Sequence, residues 1–226
     1  MESSSATGRL EAFSDGVFAI AITLLILDLR IPRALELTAD LDTRNLAPAA
    51  ALLWKLRHMW PNFLAYFLSF AVVLVLWVNH HRIFTIVRRV DRAFMFWNGL
   101  LLLLVTFVPF PTGLLAEYMA GGDAGQFRVA VLVYAGNGIL IAVAFRGLWK
   151  HATRGGRLLS DTYDAAVVKA VDDEFRWAPA AQLAVFLIAF VWPWVSISLC
   201  LALVLAFSVQ GFMNKLPIRR RSKADA

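Results

Sequence analysis

The chain has 226 residues, of which 60% are hydrophobic and only 17% are charged, and its formal net charge is +6. Soluble domains carry about a quarter charged residues, so this composition excludes an ordinary water-soluble fold. The basic residues are spread over several links and the C-terminal tail instead of forming one face, which argues against a nucleic-acid partner. The composition predicts an all-α membrane protein, with the lipid bilayer as its surroundings.

Six apolar blocks follow one another along the chain, and about 20 apolar residues are needed to cross the hydrocarbon core of a bilayer. We expect spans at about 9–31, 61–82, 92–116, 128–149, 177–193 and 194–214. The first block lacks a basic flank and a small-residue cleavage site, so it is interpreted as a retained span and not as a signal peptide. Residues 1–226 are thus expected to form a single domain with six transmembrane helices. The link between the first two spans is long enough for a short helix.

The positions of lysine and arginine predict the orientation. They are concentrated in the link after the second span, in the link after the fourth span and in the tail, residues 215–226. With six spans, all three segments lie on one side of the membrane, and basic segments favour the cytoplasm. Both termini are therefore expected to be cytoplasmic, although residues 30–60, between the first two apolar blocks, also contain five basic residues.

No motif for catalysis or metal binding is found in the sequence, and we expect neither an enzyme nor a cofactor. His80 and His81 are neighbours, but adjacent side chains on a helix diverge by about 100° and cannot easily share a metal ion. Cys200, the single cysteine, has no partner for a disulfide within the chain and is interpreted as a small apolar side chain. No span has an ionisable residue at its centre, which favours a channel over a coupled transporter.

The first span has one distinctive stripe. Ile20, Thr23, Leu24 and Leu27 are spaced i, i+3, i+4 and i+7, and so share one helical face. We call these four residues the α1 stripe. Such a stripe is either a packing face or the lining of a pore, and the spacing alone leaves both possibilities open.

Polar residues near one end of the first three spans form a second candidate group. Asp15 projects about 140° away from Ile20 and needs partners in an apolar block. Residues at a similar depth on the second and third spans could supply them. The candidate cluster consists of Arg9, Ser14, Asp15, His80, His81 and Asn98. It either ties three helices together or takes part in gating or permeation.

The first half of the chain resembles the lysosomal potassium channel family and its bacterial homologues. The resemblance is carried by an arginine followed after three residues by Phe-Ser-Asp (Arg9 and residues 13–15), by Trp-Val-Asn-His-His-Arg-Ile-Phe (77–84) and by Pro-Phe-Pro-Thr (109–112). The second half agrees in hydropathy and length only.

This resemblance implies a potassium-preferring cation channel without a TVGYG filter. It also implies a homotetramer of single-repeat chains in a bacterial plasma membrane, with four first helices around a central pore. By the same resemblance, the α1 stripe supplies the hydrophobic constrictions, and the polar cluster forms an interhelical network. The alternative is a small-solute permease or a membrane scaffold protein without a four-fold pore.

Overall fold

The computed structural model describes residues 2–29, 31–34, 45–160 and 163–213, and the regular secondary structure of this part of the chain is helical apart from one isolated β-bridge. The α-helices are α1 (Glu2–Leu24), α2 (Pro48–His58), α3 (Trp60–Ile86), α4 (Arg92–Thr106), α5 (Pro109–Gly121), α6 (Ala124–Thr153), α7 (Ala165–Ala189) and α8 (Pro193–Met213). A 3₁₀ turn, Leu25–Asp28, continues α1, and another, Arg154–Gly156, follows α6.

The helix starts follow from local sequence signals. Asp91, Asp123 and Asp164 cap α4, α6 and α7, and each carboxylate accepts a backbone N–H of the first turn. At α6 the cap is reciprocal, because the side chain of Gln126 accepts the backbone N–H of Asp123. Proline stands in the first turn of α2, α3 and α5, where its missing N–H costs no hydrogen bond.

The protein is an all-helical membrane protein, as the composition predicts. Among the described residues, four helical segments are long and apolar enough to cross a bilayer: Ala6–Leu27, Trp60–Ile86, Arg92–Gly121 and Ala124–Gly156. The third contains both α4 and α5, which are separated by a turn at Phe107 and Val108. The apolar stretch Pro193–Ala206 of α8 is too short to meet these criteria, and α7 is not among the four segments, so six spans remain a prediction.

Several helices extend beyond the membrane spans expected from hydropathy. Helix α1 begins at Glu2, α6 continues to Thr153, and α7 begins at Ala165, well before the apolar block that starts at Trp177. Helix α2 lies in the link that is long enough for a short helix. The basic tail, residues 215–226, lies outside the described residues.

Helix α7 carries acidic and basic residues in its first half, and two of the acidic residues form ion pairs with neighbouring helices. Arg82 of α3 donates to Glu174 at 2.7 Å, and the two side chains are only 6% and 5% exposed. Arg146 of α6 pairs with Asp172. Hydropathy underestimates the length of this helix, because the charges in its first half are neutralised by partners that lie far away in sequence.

Helices α6 and α1 each pack against several other helices. Helix α6 packs against α4, α5, α7 and α8, whereas α1 packs against α3 and α4. The main core joins Phe18 and Leu25 of α1 to Ile83, Phe94 and Trp149 of the other helices, all nearly inaccessible to solvent. One face of α1 is thereby fixed within its own chain.

Helices α4 and α6 approach closely at Gly147. A Cβ atom built there would lie 2.4 Å from the ring of Trp97. We expect Gly147→Ala to lower the free energy of unfolding by about 1–3 kcal/mol, because the ring must move in a packed interior. Thermal unfolding of the purified protein measures this. Gly99→Ala on α4 is the matched control, since no atom lies within 4 Å of its Cβ position. Equal melting temperatures for the two variants would contradict the close approach.

The segment after α6 crosses the link between α3 and α4. Gly155 and Gly156 have φ angles of 69° and 68°, a left-handed conformation that favours glycine and reverses the chain here. The segment then hydrogen-bonds across the link, because Ser160 N–H donates to Ile86 and Leu159 forms a β-bridge with Val87. The N-terminal part of α1 joins the same region through Thr7, whose hydroxyl donates to the carbonyl of Arg88 at 3.0 Å.

Asp91 connects three parts of this region. Its carboxylate accepts from the N–H of Phe94, and it lies 2.9 Å from Nε2 of His151 and 2.9 Å from the guanidinium of Arg157. Partial burial acts to raise the pKa of Asp91. The Phe94 amide and the charges of His151 and Arg157 outweigh this effect, so the pKa is held below its usual value.

A lowered carboxylate pKa stabilises the fold above the ordinary pKa of aspartate, and this contribution is lost as the pH falls through the lowered value. We therefore expect Asp91→Asn, which keeps the helix cap, to melt below the wild type at pH 7, and the difference to shrink below about pH 4. Asp91→Ala also loses the cap and should cost about 1 kcal/mol more. Melting curves at pH 7, 5 and 3.5 measure both effects. A difference between the wild type and Asp91→Asn that is unchanged at pH 3.5 would contradict this role.

Candidate functional site

Helix α1 has two chemically different faces. Phe18, Ala21 and Leu25 are at most 1% exposed and pack inside the chain. On the other side, Ile20, Leu24 and Leu27 are 58%, 41% and 71% exposed, and Thr23 is also exposed. The α1 stripe therefore faces away from the helices of its own chain. Within one chain it is not a packing face.

The 3₁₀ turn changes the geometry of the stripe. A 3₁₀ segment has three residues per turn, so residues i and i+3 lie above one another. Leu27 is therefore placed almost directly beyond Leu24, about 6 Å further along the axis. The hydroxyl of Thr23 donates to the carbonyl of Ile20 at 2.9 Å, which satisfies its proton within the helix. The exposed surface of the stripe is mainly apolar, with one hydroxyl oxygen between two aliphatic levels.

Three of the predicted cluster residues form a buried hydrogen-bond chain. The amide of Asn98 on α4 donates to the hydroxyl of Ser14 on α1 at 2.9 Å, and its oxygen lies 2.8 Å from Nε2 of His80 on α3. Ser14 in turn donates to the carbonyl of Leu10 at 2.8 Å. All three side chains are at most 1% exposed. This chain, which we call the Ser14 network, fixes α1 against α3 and α4.

Asp15 and His81 have other partners, closer to the surface. The indole of Trp77 donates to Asp15 at 2.9 Å, and Nδ1 of His81 lies 3.1 Å from the carboxylate of Glu11. Glu11 and Asp15 are spaced i, i+4 on α1, and Trp77 and His81 have the same spacing on α3. Two pairs therefore connect the same two helix faces, one turn apart. Trp77 and Glu11 do not belong to the predicted cluster, although their spacing is visible in the sequence.

Arg9 is exposed, and no polar partner for it is found in the described part of the chain. The structure therefore separates the predicted cluster into the Ser14 network, two peripheral pairs and one exposed arginine. His80 and His81 face different partners, as their adjacent positions on a helix require. Ring contacts add to the fixation of His80, which lies 5.2 Å from Phe18 and 4.6 Å from Phe84 between ring centroids.

Comparison with known proteins gives whole-chain relatives. The model of the family described as endosomal/lysosomal potassium channel TMEM175 matches residues 9–109. A protein of Chamaesiphon minutus named as a potassium channel is 47% identical over 207 residues, which cover 92% of this chain and 96% of the relative. A potassium channel of Streptomyces collinus is 40% identical over 219 residues, which cover 96% and 97%.

The chain belongs to the TMEM175 family. Its fold agrees with the crystal structure of a lysosomal potassium-selective channel TMEM175 homolog from Chamaesiphon minutus, with a TM-score of 0.77 and 45% identity. This similarity covers 92% of the present chain and 98% of the solved one. The family resemblance predicted from the three sequence motifs is confirmed.

All residues of the α1 stripe and of the predicted cluster lie within the segment matched by the TMEM175 family model. The helices that follow, from most of α5 to α8, lie outside that segment and are covered by the whole-chain relatives. The family model thus matches α1 together with α3 and α4, the two helices against which α1 packs.

Proposed function

We propose that this chain is a potassium-preferring cation channel that conducts passively through a pore shared by four copies. The observation that carries the proposal is the α1 stripe, an apolar row with one threonine that faces out of the chain on a helix whose other face is firmly packed. Whole-chain relatives of the same family are named as potassium channels, which supports potassium as the permeant ion.

In the proposed assembly, the first helices surround one axis, and each level of the stripe becomes a ring. Hydrated cations enter from a wider vestibule and lose part of their water at the rings of Ile20, Leu24 and Leu27. Stripping water from potassium costs less free energy than stripping it from the smaller sodium ion, so narrow apolar rings favour potassium. The hydroxyl oxygen of Thr23 offers a polar contact between the apolar levels.

Assembly also requires contacts beside the pore, and α4 offers a surface for them. Phe96, Leu100 and Leu103 are exposed and share one face of α4, the helix that packs against α1. Neighbouring copies are proposed to pack here, with lipid covering the apolar surface that remains. In this assembly the Ser14 network holds α1 in the rotation that turns the α1 stripe toward the axis.

The proposed location is a bacterial plasma membrane with both termini in the cytoplasm. This orientation is supported by the basic links and tail of the sequence. The entrance near the Ser14 network then faces the cytoplasm.

Two measurements on the purified protein test the proposal. Its mass in mild detergent should correspond to four chains, and liposomes containing it should take up potassium along a gradient, with slower uptake of sodium. Liposomes that remain impermeable to potassium under every gradient tried would overturn the channel function. A monomeric mass would exclude a four-fold pore and favour the alternative, a small-solute permease or scaffold whose stripe faces lipid.

A further inference from the structure

A cavity lies within one chain, among α3, α6, α7 and α8. The centre of a water molecule can occupy about 110 Å³ inside it. Aliphatic and aromatic side chains form most of its wall, among them Val72 of α3, Ile141 and Phe145 of α6 and Phe175 of α7. Small-molecule sites in proteins are commonly concave and mostly apolar in this way. No residue of the α1 stripe lines it.

Three carboxamide side chains from three different helices line this cavity: Asn79, Asn137 and Gln182. The amide oxygen of each is buried and has no hydrogen-bond partner within the described residues. Asn79 and Asn137 are each only 6% exposed. The amide group of Asn137 donates to the carbonyl of Leu104 at 3.4 Å, a long hydrogen bond that leaves its oxygen unused. Buried polar groups are normally paired, so three unpaired oxygens around one cavity indicate a missing partner.

The residues that line the cavity restrict the charge and polarity of that partner. No Asp, Glu, Lys, Arg or His is among the described residues that line the cavity, so a charged guest would be buried without a counter-charge. Water bound at the carboxamides would leave the apolar part of the wall without contacts, whereas a guest with an apolar body contacts both parts. A carboxamide offers both an acceptor and two donors. The suitable guest has an apolar body and one neutral head group that donates and accepts hydrogen bonds.

We infer that this cavity binds a neutral amphiphile of that kind, such as a primary amide with an alkyl chain. The carboxamides of Asn79, Asn137 and Gln182 hold its head group, and the space toward Phe145 and Phe175 takes its apolar body. This site lies apart from the α1 stripe, and its existence does not depend on ion conduction.

Photolabelling of the protein in lipid nanodiscs tests the inference. The probe is octanamide with a diazirine in its alkyl chain, and labelled residues are located by peptide mass spectrometry. Labels are expected on wall residues such as Ile141, Phe175 and Leu203. Excess octanamide should reduce them at least about tenfold, as competition for a single site requires. Octanoate and octylammonium, which have the same length but carry a charge, should not compete.

Two variants separate binding from misfolding. The double variant Gln182→Leu with Asn137→Leu keeps side chains of similar volume but removes two head-group partners, and its wall labelling should fall about tenfold. Ala178→Leu keeps the carboxamides and narrows the cavity, and it should also lose the labels. Leu187→Ala, on the exposed face of α7, is the control that should label normally.

Three results would overturn the inference. The first is labelling confined to exposed residues such as Leu183 and Leu187, which indicates partition into lipid. The second is wall labelling that octanoate reduces as strongly as octanamide. The third is an unlabelled wall in the wild type, which indicates that the cavity takes only water.

Discussion

Ile20→Asn is expected to reduce the preference for potassium over sodium by about tenfold and to increase total cation flux. In the proposed tetramer this change places four amides at one apolar ring. Amide oxygens replace part of the lost hydration of either ion, so the difference in dehydration cost between potassium and sodium becomes smaller. Reversal potentials and flux rates of the reconstituted variant measure the two effects.

Leu140→Asn is the matched control for this prediction. Leu140 is an aliphatic side chain with a similar exposed fraction, 54% against 58% for Ile20, but it lies on α6 and does not belong to the α1 stripe. Its replacement should leave ion preference unchanged within about twofold. If the two variants alter selectivity equally, or if neither does, the α1 stripe does not line the conduction path.

Asn98→Leu is expected to lower the free energy of unfolding by about 2–4 kcal/mol. Leucine fits the volume but removes the hydrogen bond to His80, whose other ring nitrogen is already without a partner in the described part of the chain. Ser14 loses its donor from Asn98 but keeps its bond to the carbonyl of Leu10. Without the bond from Asn98 to Ser14, α1 is also expected to rotate relative to α3 and α4. Potassium flux should therefore fall together with stability.

A double-mutant cycle with Ser14→Ala shows whether these residues act as one network. The cost of the double variant should be smaller than the sum of the single costs by at least about 0.5 kcal/mol, because both changes break the same bond. Asn62→Leu makes the same chemical change on α3, outside the network, and should have little effect. Additive costs for Ser14→Ala and Asn98→Leu would contradict a coupled network.

Much of this architecture can be predicted from hydropathy and spacing. The apolar blocks identify the helices, and the i, i+3, i+4, i+7 pattern places Ile20, Leu24 and Leu27 on one face, because a single helix determines these angles. The packing partner of that face cannot be obtained in this way. Only the fold shows that Phe18 and Leu25 bury the opposite side within the chain.

Contacts between distant segments are less predictable. The sequence places Ser14, His80 and Asn98 at a similar depth, but depth does not determine which side chains meet. The indole of Trp77 is the partner of Asp15, and Glu11 is the partner of His81. The extension of α7 before Trp177 is hard to predict for a related reason, since the cost of burying Glu174 is offset by Arg82, which lies more than ninety residues away. Hydropathy treats each charge as if it were unpaired.

The most direct test of the central claim is a bilayer recording of the wild-type protein with potassium chloride on one side and sodium chloride on the other. We expect a steady current without an added energy source, and a reversal potential displaced from zero in the direction that potassium permeability dictates. A reversal potential at zero would contradict potassium preference. The absence of any current from a correctly assembled protein would contradict conduction along α1.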